Sequence, residues 1–397
     1  MLPAVIESID EAFKEIKTFC VDAWEGEYRT AGRAALKEIL QYRMNHWVDR
    51  TLQELRVREI SDRRNGYFTR HLLTEMGDLE LAIPRTRTFS AVSILRHFAA
   101  ALGRRSGHLE RLILLAFTLG LSTRKVGRVL LSILGEEISA STVSAVAKQL
   151  DGVVEAYHRR PVLDRYEVLI LDGVVLKRKT GVGAQKRPVL VALGILPDGR
   201  REVIDFRQAF SESQAEWEGF LNDLYRRGLK GEGLKLIVTD GGTGLKAALP
   251  LVFGQIPVQL CWAHKTRNVL EKVRRPDQQA AKKDLHRISH ARNIPAAQTA
   301  AQLFVARWQR LYPKATACLV RDLPQLLTFL RVRLGLPATA LRTTNAIERR
   351  FREVRRRTRP MGSFSDHTSI DRIMFAVFSY ENQKEGTATP FLLTQRI

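Results

Sequence analysis

Three carboxylates with suggestive neighbours are the residues in this chain best placed to do chemistry. Asp172 follows an apolar run at 168–171 and precedes Gly173, while Asp240 follows Leu236, Ile237 and Val238 and precedes Gly241 and Gly242. Glu348 sits in the run TTNAIERRFR at 343–352, ahead of a dense series of arginines. Carboxylate oxygens suit a hard cation, and three of them suit two Mg2+ ions held ~3.5–4 Å apart, with Mn2+ as a substitute. Such a pair activates a nucleophilic oxygen and stabilises the leaving oxygen of a phosphodiester. Lys177 and Arg178, just beyond Asp172, suit a phosphate substrate. Taken alone, each aspartate has a plainer explanation: an Asp-Gly turn between strands for Asp172, a helix cap for Asp240. Asp205, Glu212, Asp223 and Asp284 are competing acids, but none joins a core strand end to a glycine turn.

The elements that must position these acids are read from periodicity. Residues 168–171 are too few for a helix and rich in strand formers, which predicts a buried central strand with Asp172 at its end. Further strands are predicted at 188–195, at 202–206 after an Asp198-Gly199 hairpin turn, at 234–238 and at 258–260. Between them 211–226 reads as a helix, with Ser213 as cap, Glu216 as its capping-box partner, and Trp217, Phe220, Leu221 and Leu224 inward. This order describes an α/β fold, a mixed sheet covered on both faces. Ile347, Phe351 and Val354 define the buried stripe of a helix over 344–359, capped by Thr344 or Asn345, with Glu348 beside the stripe. A last helix over 368–382 turns Ile370, Ile373, Met374, Val377 and Phe378 inward. Residues 266–336 look helical and basic throughout, an insertion between the sheet and the Glu348 helix.

Upstream, helical spacing in Val5, Ile9, Phe13, Ile16 and Phe19, and again in Leu36, Ile39, Leu40, Met44, Trp47 and Val48, predicts two or three helices. Residues 63–66 read as a loop, and Leu79, Leu81 and Ile83 alternate with Asp78, Glu80 and Ala82 as in a short strand or hairpin. Arg70, His71, Arg85 and Arg87 there could touch phosphates or simply be solvated. Ser122 can cap a helix with Val126, Val129, Leu130 and Ile133 inward, and Gly135 breaks it. Ser139 or Ser141 then caps a second helix, with Val143, Val146 and Leu150 inward. Two helices joined by a glycine turn fit a plain helical hairpin or a helix-turn-helix whose Ser141, Thr142, Ser144 and Lys148 face a DNA groove. The expected organisation is a helical region at 1–60, a small hairpin region at 61–106, a helix-turn-helix-like domain at 107–160, a sheet core at 161–265, an all-helical insertion at 266–340 and a return to the core at 341–397.

Residues 348–359 hold seven arginines and two glutamates. Arg352, Arg355, Arg356 and Arg359 run along one side at helical spacing, a density that repels itself unless phosphates lie alongside, although a solvated basic face is the alternative. Cys261, His264, His286 and His290 have metal-ligand spacing and could build a zinc site, but Cys261 reads equally as a buried free thiol. Trp262 could stack on an unpaired base or serve in the core.

Composition narrows the partner. Sixty-four Lys and Arg against 42 Asp and Glu leave a formal charge of +22, too basic for a typical metabolic enzyme, so a polyanion is expected. Nucleic acid fits better than a membrane surface, because the basic residues are spread through folded-looking segments. Three cysteines make no disulfide framework and point to a reducing compartment. Glu7, Asp10 and Glu11 stand where a signal peptide would be basic and then apolar, and the apolar stretch at 112–121 is well short of the ~20 residues of a membrane helix. A soluble, cytoplasmic protein of two to four domains is expected.

Taken together, the motifs resemble one family. Asp172-Gly173 after an apolar strand, Thr239-Asp240-Gly241-Gly242, Cys261-x-x-His264-Lys265-x-Arg267-Asn268, and Arg342-Thr343-Thr344-Asn345-x-x-Glu348 with Arg355 to Arg359 and Gly362 occur in order. The set resembles the Mutator-type transposases of bacterial insertion sequences, over roughly residues 65–378 and least over the first 60. The resemblance implies a ribonuclease H-like catalytic core with an all-helical insertion, preceded by mostly helical DNA-binding domains. It implies a DDE triad of Asp172, Asp240 and Glu348, using Mg2+ to cut and join DNA at the element's terminal inverted repeats. The motif around His264, Lys265, Arg267 and Asn268, with Asn345, is implied in DNA handling before zinc. Two ends must be synapsed, so a homodimer on double-stranded DNA is expected, associated with the nucleoid when bound. Two rivals remain: a DNA-binding repressor built on an inactive core, and a structure-specific nuclease or resolvase that cuts branched DNA without joining strands.

Overall fold

A computed structural model describes residues 24–88, 105–118, 121–134, 138–180, 183–332, 334–359, 364 and 366–388. The helix expected within 1–23, the break at Gly135 and the motif residue Gly362 lie outside these residues. The chain forms two compact units, Met1–Phe117 with Leu121–Ala147 and Thr118–Gly120 with Lys148–Ile397.

In the first unit, α1 (Trp24–Val57) is one 34-residue helix where shorter ones were expected. Its inward stripe carries Met44 into a core with Leu72, Leu79, Leu81 and Ile83 of a hairpin, β1 (Arg64–Thr74) and β2 (Gly77–Thr86). Ile39, one position off that stripe, is 56% exposed. The loop expected at 63–66 is instead the bulged start of β1, where the register shifts between Arg64 and Tyr67. Gly66 makes the bulge possible by taking φ 75°, a region that favours glycine. Helices α2 (Gly107–Thr118), α3 (Thr123–Leu134) and α4 (Ala140–Ala147) complete this unit.

The second unit begins with α5 (Leu150–Arg159) and is built on five strands: β3 (Val168–Thr180), β4 (Gly183–Ile195), β5 (Arg201–Gln208), β6 (Leu236–Thr239) and β7 (Val258–Leu260). They lie in the order β5-β4-β3-β6-β7. β3 pairs antiparallel with β4 and parallel with β6, and β6 pairs parallel with β7. Residues 168–171 have no exposed surface, because helices cover both faces of the sheet. Leu169 and Leu171 face α6 (Gln214–Arg226) and α7 (Thr243–Phe253), sharing a core with Trp217, Leu221, Leu245 and Phe253. The opposite face is covered by α5, α13 (Asn345–Thr358) and α14 (His367–Lys384), where Phe206 meets Phe378 and Tyr157 meets Phe375 edge-on. α5 thus belongs to the sheet's unit: the Tyr157 hydroxyl donates to the Val203 carbonyl and Arg372 of α14 clamps Asp151. Nothing in the spacing of 107–160 marked that division, because α4 and α5 are separated only by Lys148 and Gln149.

The interval from β7 to Glu348 is helical, as expected: α8 (Trp262–Leu270), α9 (Arg275–Ser289), α10 (Ile294–Trp308), α11 (Pro313–Leu326), a 3-10 turn at Thr328–Leu330 and α12 (Ala338–Leu341). Gln259 fixes this bundle to the sheet, donating to the Leu326 carbonyl and accepting from the Phe329 amide.

Candidate active site and nucleic-acid interface

The Asp172-Gly173 pair makes no turn. β3 runs unbroken through it, with Asp172 opposite Val191 and Gly173 opposite Leu190. What ends there is the parallel partner: β3 and β6 pair from Val168↔Leu236 to Leu171↔Thr239. Asp172 and Asp240 are the next residues on their respective strands, so both carboxylates leave the sheet at one place. Parity sets the face. Asp172 shares that of Val168 and Ile170, opposite to Leu169 and Leu171, and this is the face that α13 covers.

Asp240 is turned by the glycines after it. Gly241 takes φ 90°, and the Gly242 amide donates to Asp240 Oδ1 at 2.9 Å. Gly244 permits a close approach, since a Cβ there would stand 2.1 Å from the Glu212 carbonyl oxygen. That approach brings Glu212 against Gly173, where its carboxylate oxygen lies 2.7 Å from the place of a Cβ. Partial burial and Asp240 push the Glu212 carboxyl up. Glu212 ends no strand, so nothing in its local sequence marks it; the chain crossing at Gly244 does.

Glu348 arrives through a different device. Ile347, Phe351 and Val354 are buried as their spacing requires, but Thr344 places no side-chain cap on α13. Its amide and hydroxyl both donate to Cys261 Sγ at 3.3 Å, and its hydroxyl reaches Glu348 Oε1 at 3.5 Å. Cys261 is in turn joined to the sheet, its amide donating to the Thr239 carbonyl at 2.8 Å. A chain of bonds therefore runs from the residue before Asp240, through the thiol, to the helix of Glu348. His264 lies beside it, with Nε2 3.6 Å from Glu348 Oε1.

The electrostatics follow from this crowding. Burial, then Asp240, then Glu348 push the Asp172 carboxyl up to about 7, against the opposing Gly173 amide and His264. The Cys261 hydrogen bond is the largest influence raising His264 to about 9, with Asp172 and Glu348 adding to it. Burial pushes the Cys261 thiol up, but the bonds to His264 and Thr344 outweigh it and leave it below its usual value. Hard oxygen donors that repel one another suit a divalent cation, which relieves that repulsion. Among the described residues no three His, Cys, Asp or Glu side chains are already gathered at ligand distance. The zinc set considered from spacing does not assemble either. His286 and His290 stack on each other at 3.5 Å, while Cys261 is taken by Thr344 and His264.

The competing acids are occupied structurally. Asp205 is held by His158 and Arg227, Asp223 by Arg227, and Asp284 by the Trp308 indole with Arg287 and Arg307.

Two residues expected to touch DNA are interior, which corrects the expectation for both. Trp262 is 3% exposed and donates its indole N–H to the Leu326 carbonyl at 2.8 Å, so it offers no stacking face to a base. Lys265 lies on the inward side of α8 and pairs with Asp322 of α11, so its charge is already matched inside the protein. Burial of Asp322 is overcome by Lys265, Arg321 and Lys246, which hold its carboxyl down at about 2. Arg267 and Asn268, on the other side of α8, are exposed, as are Asn345, Lys177, Arg352, Arg355, Arg356 and Arg359, while Arg178 is half-buried. Arg350 and Arg357, two of the seven arginines in 348–359 but off the side that carries Arg352, Arg355, Arg356 and Arg359, turn to the interior, Arg350 pairing with Glu385 and Arg357 lying over the Tyr380 ring.

In the first unit α3 and α4 meet closely, since a Cβ on Gly127 would stand 2.1 Å from the Ile138 carbonyl oxygen. Ser139 caps α4 by accepting from the Thr142 amide, and Val143 and Val146 are buried. Ser141 is exposed and Thr142 and Ser144 are half-buried, but Lys148 lies beyond the end of α4 at Ala147. Val129, expected inward, is 47% exposed, and Leu134 takes the inward place.

A basic mixed α/β chain with two aspartates at the end of one strand ladder and a row of exposed arginines falls in the class of DNA-processing proteins, and comparison with known proteins defines the class further. The chain is 32% identical over 364 residues to the transposase for insertion sequence element ISRM5 of Rhizobium meliloti, covering 89% of this chain and 88% of the relative. It is 28% identical over 359 residues to the transposase for IS905 of Lactococcus lactis, 90% of each chain, and 33% identical over 348 residues to that of IS406 of Burkholderia multivorans, 83% and 84%. The family model of the Mutator family of transposases matches residues 5–386. This chain belongs to that family. No described helix is long and apolar enough to cross a membrane.

Proposed function

We propose that the protein cuts and joins DNA at the terminal inverted repeats of an insertion sequence, from a ribonuclease H-like core whose Asp172, Asp240 and Glu348 hold Mg2+, with Mn2+ as a substitute. The observation that carries this reading is the shared exit of Asp172 and Asp240 from the β3-β6 ladder, onto the face where Glu348 stands. Mg2+ supplies Lewis-acid stabilisation of the attacking and leaving oxygens. The chain's own part is positioning. The Cys261-Thr344 link fixes the start of α13, and His264, protonated at neutral pH, keeps one positive charge against Glu348. Exposed Lys177, Arg267, Asn268, Asn345, Arg352, Arg355, Arg356 and Arg359, with half-buried Arg178, take the backbone, and α3 and α4 read the end through Ser141, Thr142 and Ser144. A homodimer holds two ends, and Glu212 completes the acidic neighbourhood of Asp240.

The test is incubation of purified protein and Mg2+ with a plasmid carrying the DNA that flanks its gene, with cleaved and joined ends mapped. Cuts at inverted repeats that vanish in Asp240→Asn and Glu348→Gln are expected. Sequence-specific binding with no cutting by the wild type removes the reading in favour of a repressor.

A further inference from the structure

Beside the acids lies a groove of about 710 Å3 between α8, α9 and the segment leading into α13. Its volume is that of a site for one small ligand, ~300–1,000 Å3. Arg267, Lys282 and Arg342 line it, against a single acid, Glu271. Arg342 is the telling group. It is half-buried, and both its bonds go to uncharged acceptors, the Ser289 carbonyl at 3.1 Å and His290 Nε2 at 2.7 Å. Burial and Arg342 push His290 down, which keeps this imidazole neutral and able to accept. His286 stacks on it at 3.5 Å with the rings 16° from parallel, and both residues are exposed on the groove wall. A flat π surface beside an arginine that lacks an anion matches one chemistry, a base attached to a phosphate. Asn345, on the groove's rim, is one helical turn from Glu348.

We propose that this groove holds one unpaired nucleotide of the DNA being processed, next to the bond that is cut, with its phosphate on Arg342 and Lys282 and its base on the His286-His290 stack. The inference rests on the transposase reading for the source of the nucleotide, and on the groove alone for the chemistry. The nucleotide leaves the duplex stack, and the stacked imidazoles replace its lost neighbours.

Two arms test it on the full-length protein. In the first, calorimetry compares dAMP, deoxyadenosine and inorganic phosphate. dAMP is expected to bind at least about tenfold more tightly than either part, because stacking and charge contribute together. Arg342→Ala and His286→Ala should each cost about tenfold, and Lys282→Glu, a reversal at an exposed site that folding tolerates, should do likewise. Equal binding of dAMP by wild type and Lys282→Glu overturns the site. In the second arm, 2-aminopurine is placed singly along the junction of the element end and its flanking DNA. One position is expected to brighten several-fold on binding and to stay at the duplex level with Lys282→Glu. Uniformly dark positions while the end is still cut would leave a free mononucleotide as the ligand and overturn the DNA assignment. Absence of both binding and cutting at the end refutes the transposase reading, and the dAMP arm then decides the groove by itself.

Discussion

Replacing Asp172 by asparagine should stabilise the protein while abolishing its chemistry, and the size of the gain can be worked from the crowding around it. The Asp172 carboxyl is displaced from 3.8 to about 7 by burial and by Asp240 and Glu348. At 1.36 kcal/mol for each tenfold, that displacement opposes folding of the ionised form by on the order of 4 kcal/mol. The sign follows from proton binding. Between about pH 4 and 7 the folded chain holds a proton on Asp172 that the unfolded chain has released, so stability falls as pH rises through that window and is level above it. Asparagine keeps the acceptor that the Gly173 amide uses at 2.8 Å and removes the charge. Denaturant unfolding in the presence of a chelator should therefore show the Asp172→Asn protein more stable at pH 8, by up to about 4 kcal/mol, with the gap reduced by about half at pH 5.5. Added Mg2+ should narrow the gap at pH 8 by stabilising the wild type preferentially. A variant no more stable than wild type at pH 8, or a gap indifferent to both pH and Mg2+, would refute the view that the acids converge under mutual repulsion.

Three other outcomes are expected. Lys265→Met should cost about 3 kcal/mol in unfolding experiments by leaving Asp322 buried with weaker partners. It should leave the salt dependence of DNA binding unchanged, and a reduced slope would return Lys265 to the DNA surface. Arg352→Ala and Arg355→Ala should each lower the slope of log K against log salt by about 0.9 with little effect on stability, as filter binding across a salt series would show. Gly127→Ala should destabilise the first unit by about 1–3 kcal/mol, because its Cβ meets the Ile138 carbonyl, and should weaken binding to the element's ends in mobility-shift assays. Retention of full end binding by that variant would mean that α3 and α4 do not read DNA.

The strands and the helix of Glu348 were legible because local rules write them. The short apolar run at 168–171, the stripe of Ile347, Phe351 and Val354, and the Ser213 cap each depend on neighbours a few residues away. Even there the chain showed limits. Glu216 was expected to return a bond to its cap and instead accepts from the Phe210 amide, because the loop before α6 folds back within its reach. Sequence also established the charge, and with it a polyanionic partner, since composition needs no fold. Only the tertiary structure decided which charges are free. Lys265, Arg350 and Arg357 read like their basic neighbours along a helix, yet Asp322, 57 positions from Lys265, Glu385 beside Arg350 and the Tyr380 ring under Arg357 lie on other segments, and all three turn inward. The same holds for the site: Asp172 looked like a strand end or a turn, and is neither. It marks where β6 stops beside a continuous β3, a fact of register between segments 68 residues apart that no local pattern encodes. Chain order names the acids, but the pairing of strands sets Asp172 beside Asp240 and the thiol link from Cys261 to Thr344 ties the helix of Glu348 to the same sheet, because contacts between distant segments are made by packing and not by sequence proximity.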